Sequence, residues 1–160
     1  MVFQELTRLA VRYHQRRNWF FLGRGIYTAI AYESAPKMQE VTYPPAEGMP
    51  AGFLEHGTLS LIEEEMPGMF LIPPKEEQEV CDLTFSSLEE VRAHHGTVIA
   101  CGFDKGGGHC NEMIMLTKTS LGTAPFLHLL VGQLLAYEIA VLLGRNVDRP
   151  RSLAKSVTVS

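Results

Sequence analysis

The chain has few cysteines, and they do not form a framework: Cys81, Cys101 and Cys110 are odd in number and show no Cys-x-x-Cys spacing. That usage excludes a disulfide scaffold and points to a reducing compartment. His109-Cys110 could be half of a metal site, but no second ligand pair stands at zinc-like spacing, so no metal or other cofactor is expected. A basic excess is missing as well. The net charge is −4, whereas a nucleic-acid partner requires a basic face. Arg8, Arg12, Arg16 and Arg17 do group, at a spacing that suits the solvated side of a helix. No secretory leader is expected, because Glu5, Arg8 and Arg12 break any early apolar run. The longest apolar stretch, 126–144, contains His128, Gln133 and Glu138 and reads as a buried helix, not a membrane span. A cytoplasmic location is expected. No repeat, low-complexity segment or linker divides the 160 residues, of which 46% are apolar, so one compact domain is expected.

What is present alternates between two periods. Phe3, Leu6, Leu9, Ala10 and Tyr13 recur at helical spacing, predicting a helix over 3–17. Trp19-Phe20-Phe21-Leu22 reads as a buried strand, stopped by Gly23-Arg24-Gly25, with a helix following to about Glu40 and ending at Tyr43-Pro44-Pro45. Residues 46–65 give no assignment beyond a helical turn or two around Leu59. Strands are expected at Met69-Phe70-Leu71-Ile72, Thr97-Val98-Ile99-Ala100 and Met113-Ile114-Met115-Leu116. A helix opened by Glu76, Glu77 and Glu79 separates the first two of these and stops at Gly96. A long helix follows from about Thr123 to Leu143, with Leu127, Leu130, Val131, Leu134, Leu135, Ile139 and Leu142 on one face. Four short apolar strands separated by helices imply an α/β fold: a three-layer, doubly wound, mainly parallel sheet, flavodoxin-like, in a single domain. Ligands in such folds bind beyond the carboxyl ends of the strands.

Several residues could carry chemistry. Glu33, Lys37 and Glu40 fall at i, i+4 and i+7, on one helix face, either as an exposed ion-pair ladder or as a lysine holding a carboxylate ready for proton transfer. Gly23-Arg24-Gly25 is either a tight turn or a set of N–H groups offered to an anion. The loop Lys105-Gly106-Gly107-Gly108-His109 falls on the expected functional edge, where an ordinary surface loop is the favoured reading. His56 stands in a loop, solvated or available as an acid or base near neutral pH. Lys155 lies in a tail, 148–160, without apolar periodicity, which by itself reads as frayed chain.

In order along the chain these segments resemble the second sugar-isomerase (SIS) subdomain of the glucosamine-6-phosphate synthase family. Its L-G-R-G turn is matched by Leu22-Gly23-Arg24-Gly25, and its A-x-E-x-A-x-K-x-x-E helix by Ala31, Glu33, Ala35, Lys37 and Glu40. The A-G-x-x-x-H-G loop is matched by Ala51, Gly52, His56 and Gly57, and the final helix by Gln133-Leu134-Leu135-Ala136-Tyr137. The ending D-x-P-R-x-L-A-K-S-V-T is matched by Asp148, Pro150, Arg151, Leu153, Ala154, Lys155, Ser156, Val157 and Thr158. The resemblance covers about 19–159 and divides the chain into an SIS domain, 1–147, and a tail carrying Lys155.

The resemblance implies ketose–aldose isomerisation of a sugar phosphate, with a proton moving between C1 and C2. Glu40 is implied as the base, suited to the task if burial raises its pKa. His56 assists ring opening from a neighbouring subunit, Lys155 engages the keto carbon, and Lys37 and Glu33 orient the set. Gly23, Arg24, Gly25 and Ala154 are implied as substrate contacts. Two departures qualify this. The family's serine- and threonine-rich phosphate loop, from the other SIS half, is replaced here by Ile72-Pro73-Pro74-Lys75, and Thr117, Thr119, Ser120 and Thr123 form the only other hydroxyl cluster. Pro36 stands inside the helix that carries Lys37 and Glu40. The partners expected are therefore a sugar phosphate and either a second copy of this chain or a companion SIS half. No nucleic acid, membrane or glutaminase activity is expected. The alternatives are a non-catalytic phosphosugar-binding or sensor module, or a structural partner of another SIS chain.

Overall fold

The computed structural model describes residues 2–56, 66–104 and 110–151. In chain order they form α1 (Val2–Tyr13), β1 (Trp19–Gly23), α2 (Ile26–Thr42), β2 (Ala46–Pro50), a 3₁₀ segment (Ala51–His56) and β3 (Gly68–Leu71). A 3₁₀ turn (Lys75–Glu77), α3 (Gln78–Ala93), β4 (Val98–Gly102), β5 (Glu112–Met115) and α4 (Ala124–Leu142) complete the order. All strands are parallel, in the order β2-β1-β3-β4-β5. The three-layer, doubly wound α/β architecture read from the sequence is the one observed.

The strands are apolar throughout because helices cover both sides of the sheet. Trp19, Phe21, Met69, Leu71, Ile99, Cys101 and Ile114 pack with α1, α2 and α4. Their alternates, Phe20, Leu22, Phe70, Val98 and Ala100, pack with α3 and the 3₁₀ segment. Each such large side chain contributes about 1.5–3 kcal/mol on burial. The two outer layers are unequal, with three helices on one face and α3 with the 3₁₀ segment on the other.

Four features differ from expectation. There are five strands, not four: β2, Ala-Glu-Gly-Met-Pro, has no β-branched or aromatic residue and ends in proline, a composition an edge strand tolerates because only β1 pairs with it. The first helix stops at Tyr13, where the Arg16 N–H turns back onto the Tyr13 carbonyl at 3.0 Å, so it does not run to residue 17. Arg8 and Arg12 are more than a solvated face: they reach Glu112 of β5 at 2.6 and 2.5 Å. Glu112 is only 6% exposed, and two guanidiniums compensate the desolvation of its carboxylate while tying α1 to the sheet edge. Finally, Leu130 and Leu142 of α4 point outward, 48% and 44% exposed. The buried face instead comprises Ala124, His128, Val131, Gly132, Leu135, Ala136, Ile139 and Ala140. A helix apolar on all sides gives periodicity little with which to choose a face. By length and composition α4 could cross a bilayer; here it packs in the core cluster with α1 and α2.

His128 is the one fully buried histidine among the described residues. Its Nδ1 is 2.9 Å from the Ala124 carbonyl, and its Nε2 is 3.1 Å from both the Ile72 and Cys101 carbonyls, so α4 gathers the ends of β3 and β4. Burial pushes the imidazole below its usual 6.5, against the pull of those carbonyls. The unfolded chain therefore takes up the proton first, and stability present above pH 6.5 is lost as pH falls below it. Thermal melts at pH 7.5 and 5.5 should show a larger drop for the native chain than for His128→Phe, which cannot titrate. Equal drops would mean that another group governs the loss.

Candidate active site

The carrier of the expected chemistry is α2. It is entered through Gly25 at φ 59°, a left-handed conformation that glycine adopts without steric cost. The helix then continues unbroken through Pro36 to Thr42, although proline withdraws one helical N–H. The row on its outer face is therefore intact. The Lys37 ammonium donates to Glu40 Oε2 at 3.2 Å and lies 3.6 Å from Glu33 Oε1. The bond to Glu40 pushes the Lys37 ammonium above its ordinary value, so it stays charged. The three side chains are 51%, 38% and 35% exposed for Glu33, Lys37 and Glu40. Ion pairs that exposed contribute only about 0.3–0.5 kcal/mol each. The row orients charge more than it stabilises the fold.

Its location departs from the edge rule. Because α2 follows β1 and runs back along the sheet, Glu40, fourteen residues past Ile26, lies about 21 Å along the helix axis. That brings it to the amino ends of the strands, beside a groove between α2 and α4 lined by Lys37, Val41, Gln133, Tyr137 and Asp148. The loops at the carboxyl ends hold a different set. The first turn of α2 closes over Gly23, where a Cβ would come within 2.2 Å of the Tyr27 carbonyl oxygen. Arg24 donates through one guanidinium nitrogen to Ser87 Oγ at 3.1 Å and lies against Gly52 of the 3₁₀ segment, while its buried Nε has no hydrogen-bond partner among the described residues. Tyr27 donates to Glu77 at 2.9 Å, joining the loop after β1 to the loop after β3 across the point where the strand order reverses. In the loop that replaces the phosphate cradle, Lys75 faces Asp104 at 3.5 Å.

His56 ends the 3₁₀ segment that follows β2, at the carboxyl edge; its side chain is not among those described. The 3₁₀ segment that ends at His56 packs with α3 through Ala51 and Leu54, whereas α2, which carries Glu40, packs on the other face, so the two residues of one chain belong to elements on opposite faces of the sheet. Ala154, Lys155 and the loop Lys105-Gly106-Gly107-Gly108-His109 lie outside the described residues. The start of the tail is described, and it reveals a residue the sequence did not single out. Tyr43, which caps α2 at φ 79°, has the Arg145 and Arg151 guanidiniums over its ring at 4.8 and 4.1 Å, and its hydroxyl accepts the Arg151 N–H at 3.0 Å. No sequence signal marks it, because positive φ at a tyrosine is a tertiary outcome. Among the described residues no group of three His, Cys, Asp or Glu could hold a metal.

Comparison with known proteins settles the family. The family model of the SIS domain matches residues 12–142. The chain belongs to the SIS-domain family. The glutamine–fructose-6-phosphate aminotransferase (isomerizing) of Thermus thermophilus is 42% identical over 157 residues, covering 96% of this chain and 26% of that protein. Its namesake from Methanocaldococcus jannaschii is 44% identical over 142 residues, 89% of this chain and 13% of that protein. The SIS chain thus spans about a quarter of the first of these relatives and 13% of the second. Among solved structures, the C-terminal domain of glucosamine-fructose-6-phosphate aminotransferase from Francisella tularensis superposes with a TM-score of 0.85 at 32% identity, covering 92% of this chain and 42% of that one. Tagatose-6-phosphate ketose/aldose isomerase from Escherichia coli, at 21% identity and a TM-score of 0.72 over 82% of this chain and 38% of that one, shares the fold.

Proposed function

We propose that this chain is one half of a phosphosugar ketose–aldose isomerase of the glutamine–fructose-6-phosphate aminotransferase type, completed by a second SIS half. The observation that carries this reading is the Glu33–Lys37–Glu40 row, held in register by Lys37 on a helix that runs unbroken through Pro36. Lys37 uses Glu40 Oε2, which leaves Oε1 without a partner among the described residues and available to a substrate C–H. In this reading Glu40 takes the proton from C1 of open-chain fructose 6-phosphate and returns it to C2, by way of an enediol. Glu33 steadies the Lys37 ammonium from the other side. Lys155 engages the C2 carbonyl through its amine, condensing with loss of water to hold the open-chain sugar; water then adds back and frees the amine, so that C2 carries its oxygen when the enediol forms. The Gly23-Arg24-Gly25 turn stands about 21 Å from this chain's Glu40, at the other end of α2, so in this reading it contacts the substrate of a neighbouring copy, as His56 does, while Ala154 is a contact in the site that Lys155 serves.

Two observations support the need for a second half. A base of this kind works best buried, with its pKa raised toward neutrality, yet the Glu40 side chain is 35% exposed. And His56, on an element across the sheet from α2, fits a role in a neighbouring subunit's site. The companion or second copy would cover Glu40 and supply the hydroxyl-rich phosphate loop that Ile72-Pro73-Pro74-Lys75 does not provide. The assay is conversion of fructose 6-phosphate to glucose 6-phosphate by the chain alone and with a companion SIS half. Turnover only in the reconstituted pair is expected; folded protein without turnover in either arm would sink the reading.

The proline-rich loop favours one other reading, a phosphosugar sensor. Calorimetric titration of the assembled protein with glucosamine 6-phosphate separates the two, since binding without turnover would select the sensor.

A further inference from the structure

Tyr43 is one of two non-glycine residues with positive φ in the described chain, at 79°; the other is His95. A bulky side chain there is costly, about 1 kcal/mol or more, and glycine is the usual residue at the end of a helix in this conformation. The backbone role needs nothing from tyrosine: its N–H donates to the Gln39 carbonyl at 3.0 Å, as any residue's would. What tyrosine adds is contact with the tail. α4 ends with Gly144 at φ 65° and the Arg145 N–H on the Ala140 carbonyl at 2.9 Å, a turn that swings Arg145 over the Tyr43 ring at 4.8 Å. Arg151 approaches the same ring at 4.1 Å and donates its backbone N–H to the Tyr43 hydroxyl at 3.0 Å. The Asn146 side chain accepts from the Asp148 and Arg149 N–H groups at 3.1 and 3.0 Å, shaping the link between the two arginines. A strained position, two cation–π contacts and a hydrogen bond thus converge on one side chain three residues after Glu40.

We infer that Tyr43 is a positioning residue: it clamps the start of the tail, at Arg145 and Arg151, against the end of the helix that carries Lys37 and Glu40. The inference rests on the isomerase reading for its catalytic consequence, but the clamp itself is tested without it. Four residues separate Arg151 from Lys155, at most about 14 Å of extended chain. Fixing Arg151 at the helix end therefore limits the reach of the chain that follows it, which is how the clamp would bear on the chemistry proposed for Lys155. The guanidiniums also stand at the negative end of the α2 dipole, which favours the docked tail.

The discriminating substitution is Tyr43→Gly. Glycine is the better residue for this backbone conformation, so a merely structural tyrosine predicts a variant at least as stable and as active as the native chain. The clamp predicts the opposite for the tail. With an unchanged melting temperature and circular dichroism spectrum, trypsin should cleave after Arg145 and Arg151 about tenfold faster, the factor that ~1.4 kcal/mol of lost docking corresponds to. In the completed isomerase kcat should fall by a similar factor with KM little changed, and Tyr43→Phe should recover part of both losses by keeping the ring. Unaltered cleavage in Tyr43→Gly overturns the clamp. Faster cleavage of Tyr43→Gly, with no isomerase turnover even in the native protein, would uphold the clamp and remove the isomerase reading instead.

Discussion

Exchange of Glu40 for glutamine is expected to lower kcat of the completed isomerase by about 10²–10⁴-fold, the contribution of a positioned general base. The substitution keeps volume and a hydrogen-bond acceptor for Lys37 but removes the basic oxygen. KM should change little, because the amide still fills the site and the loss falls on the proton-transfer step. The folded state should be nearly unaffected, since the Lys37–Glu40 contact at 3.2 Å is between side chains 38% and 35% exposed and contributes only about 0.3–0.5 kcal/mol. That combination, a large kinetic loss with an unchanged melt, separates a catalytic row from a surface ion-pair ladder. Comparable turnover in the native and Glu40→Gln proteins would return the row to the surface.

Gly23→Ala should destabilise the fold by about 3 kcal/mol, at the upper end of the cost of overpacking a core. An added Cβ would fall 2.2 Å from the Tyr27 carbonyl oxygen, 2.4 Å from its carbon and 2.9 Å from the Thr28 nitrogen. All three are backbone atoms of the first turn of α2, so no side chain can swing aside to make room. For a domain of this size the loss corresponds to a drop in Tm of roughly 6–12 °C. The same experiment distinguishes two meanings of the glycine turn. If Gly23 were needed only to let an anion approach the backbone, alanine would weaken substrate binding and leave unfolding unchanged. Thermal or denaturant unfolding of the variant therefore decides whether this glycine serves packing first.

Much of the site was visible as spacing. Glu33, Lys37 and Glu40 share a face because the helix period dictates it, and no tertiary contact was needed to place them together. The same is true of β1, β3 and β4, whose unbroken apolar runs can only belong to strands covered on both sides. Position within the fold was less legible. The rule that sites sit beyond the carboxyl ends of strands drew attention to the loops after β1 and β3, whereas α2 carries Glu40 to the other end of the sheet. Tyr43, Arg145 and Arg151 lie far apart in sequence and meet only because α2 and α4 end side by side.

The sequence by itself determined the layers, the parallel sheet and the charged row on α2, because each follows from a short-range period that the backbone enforces. Tertiary structure alone decided which side of the uniformly apolar α4 is buried, that the weak segment Ala46–Pro50 becomes an edge strand, and that Glu112 is buried between Arg8 and Arg12. Those outcomes depend on what a neighbouring element offers, such as a partner strand, a second helix or a compensating guanidinium. It also decided that the elements bearing His56 and Glu40 of one chain stand apart, since the sheet lies between them.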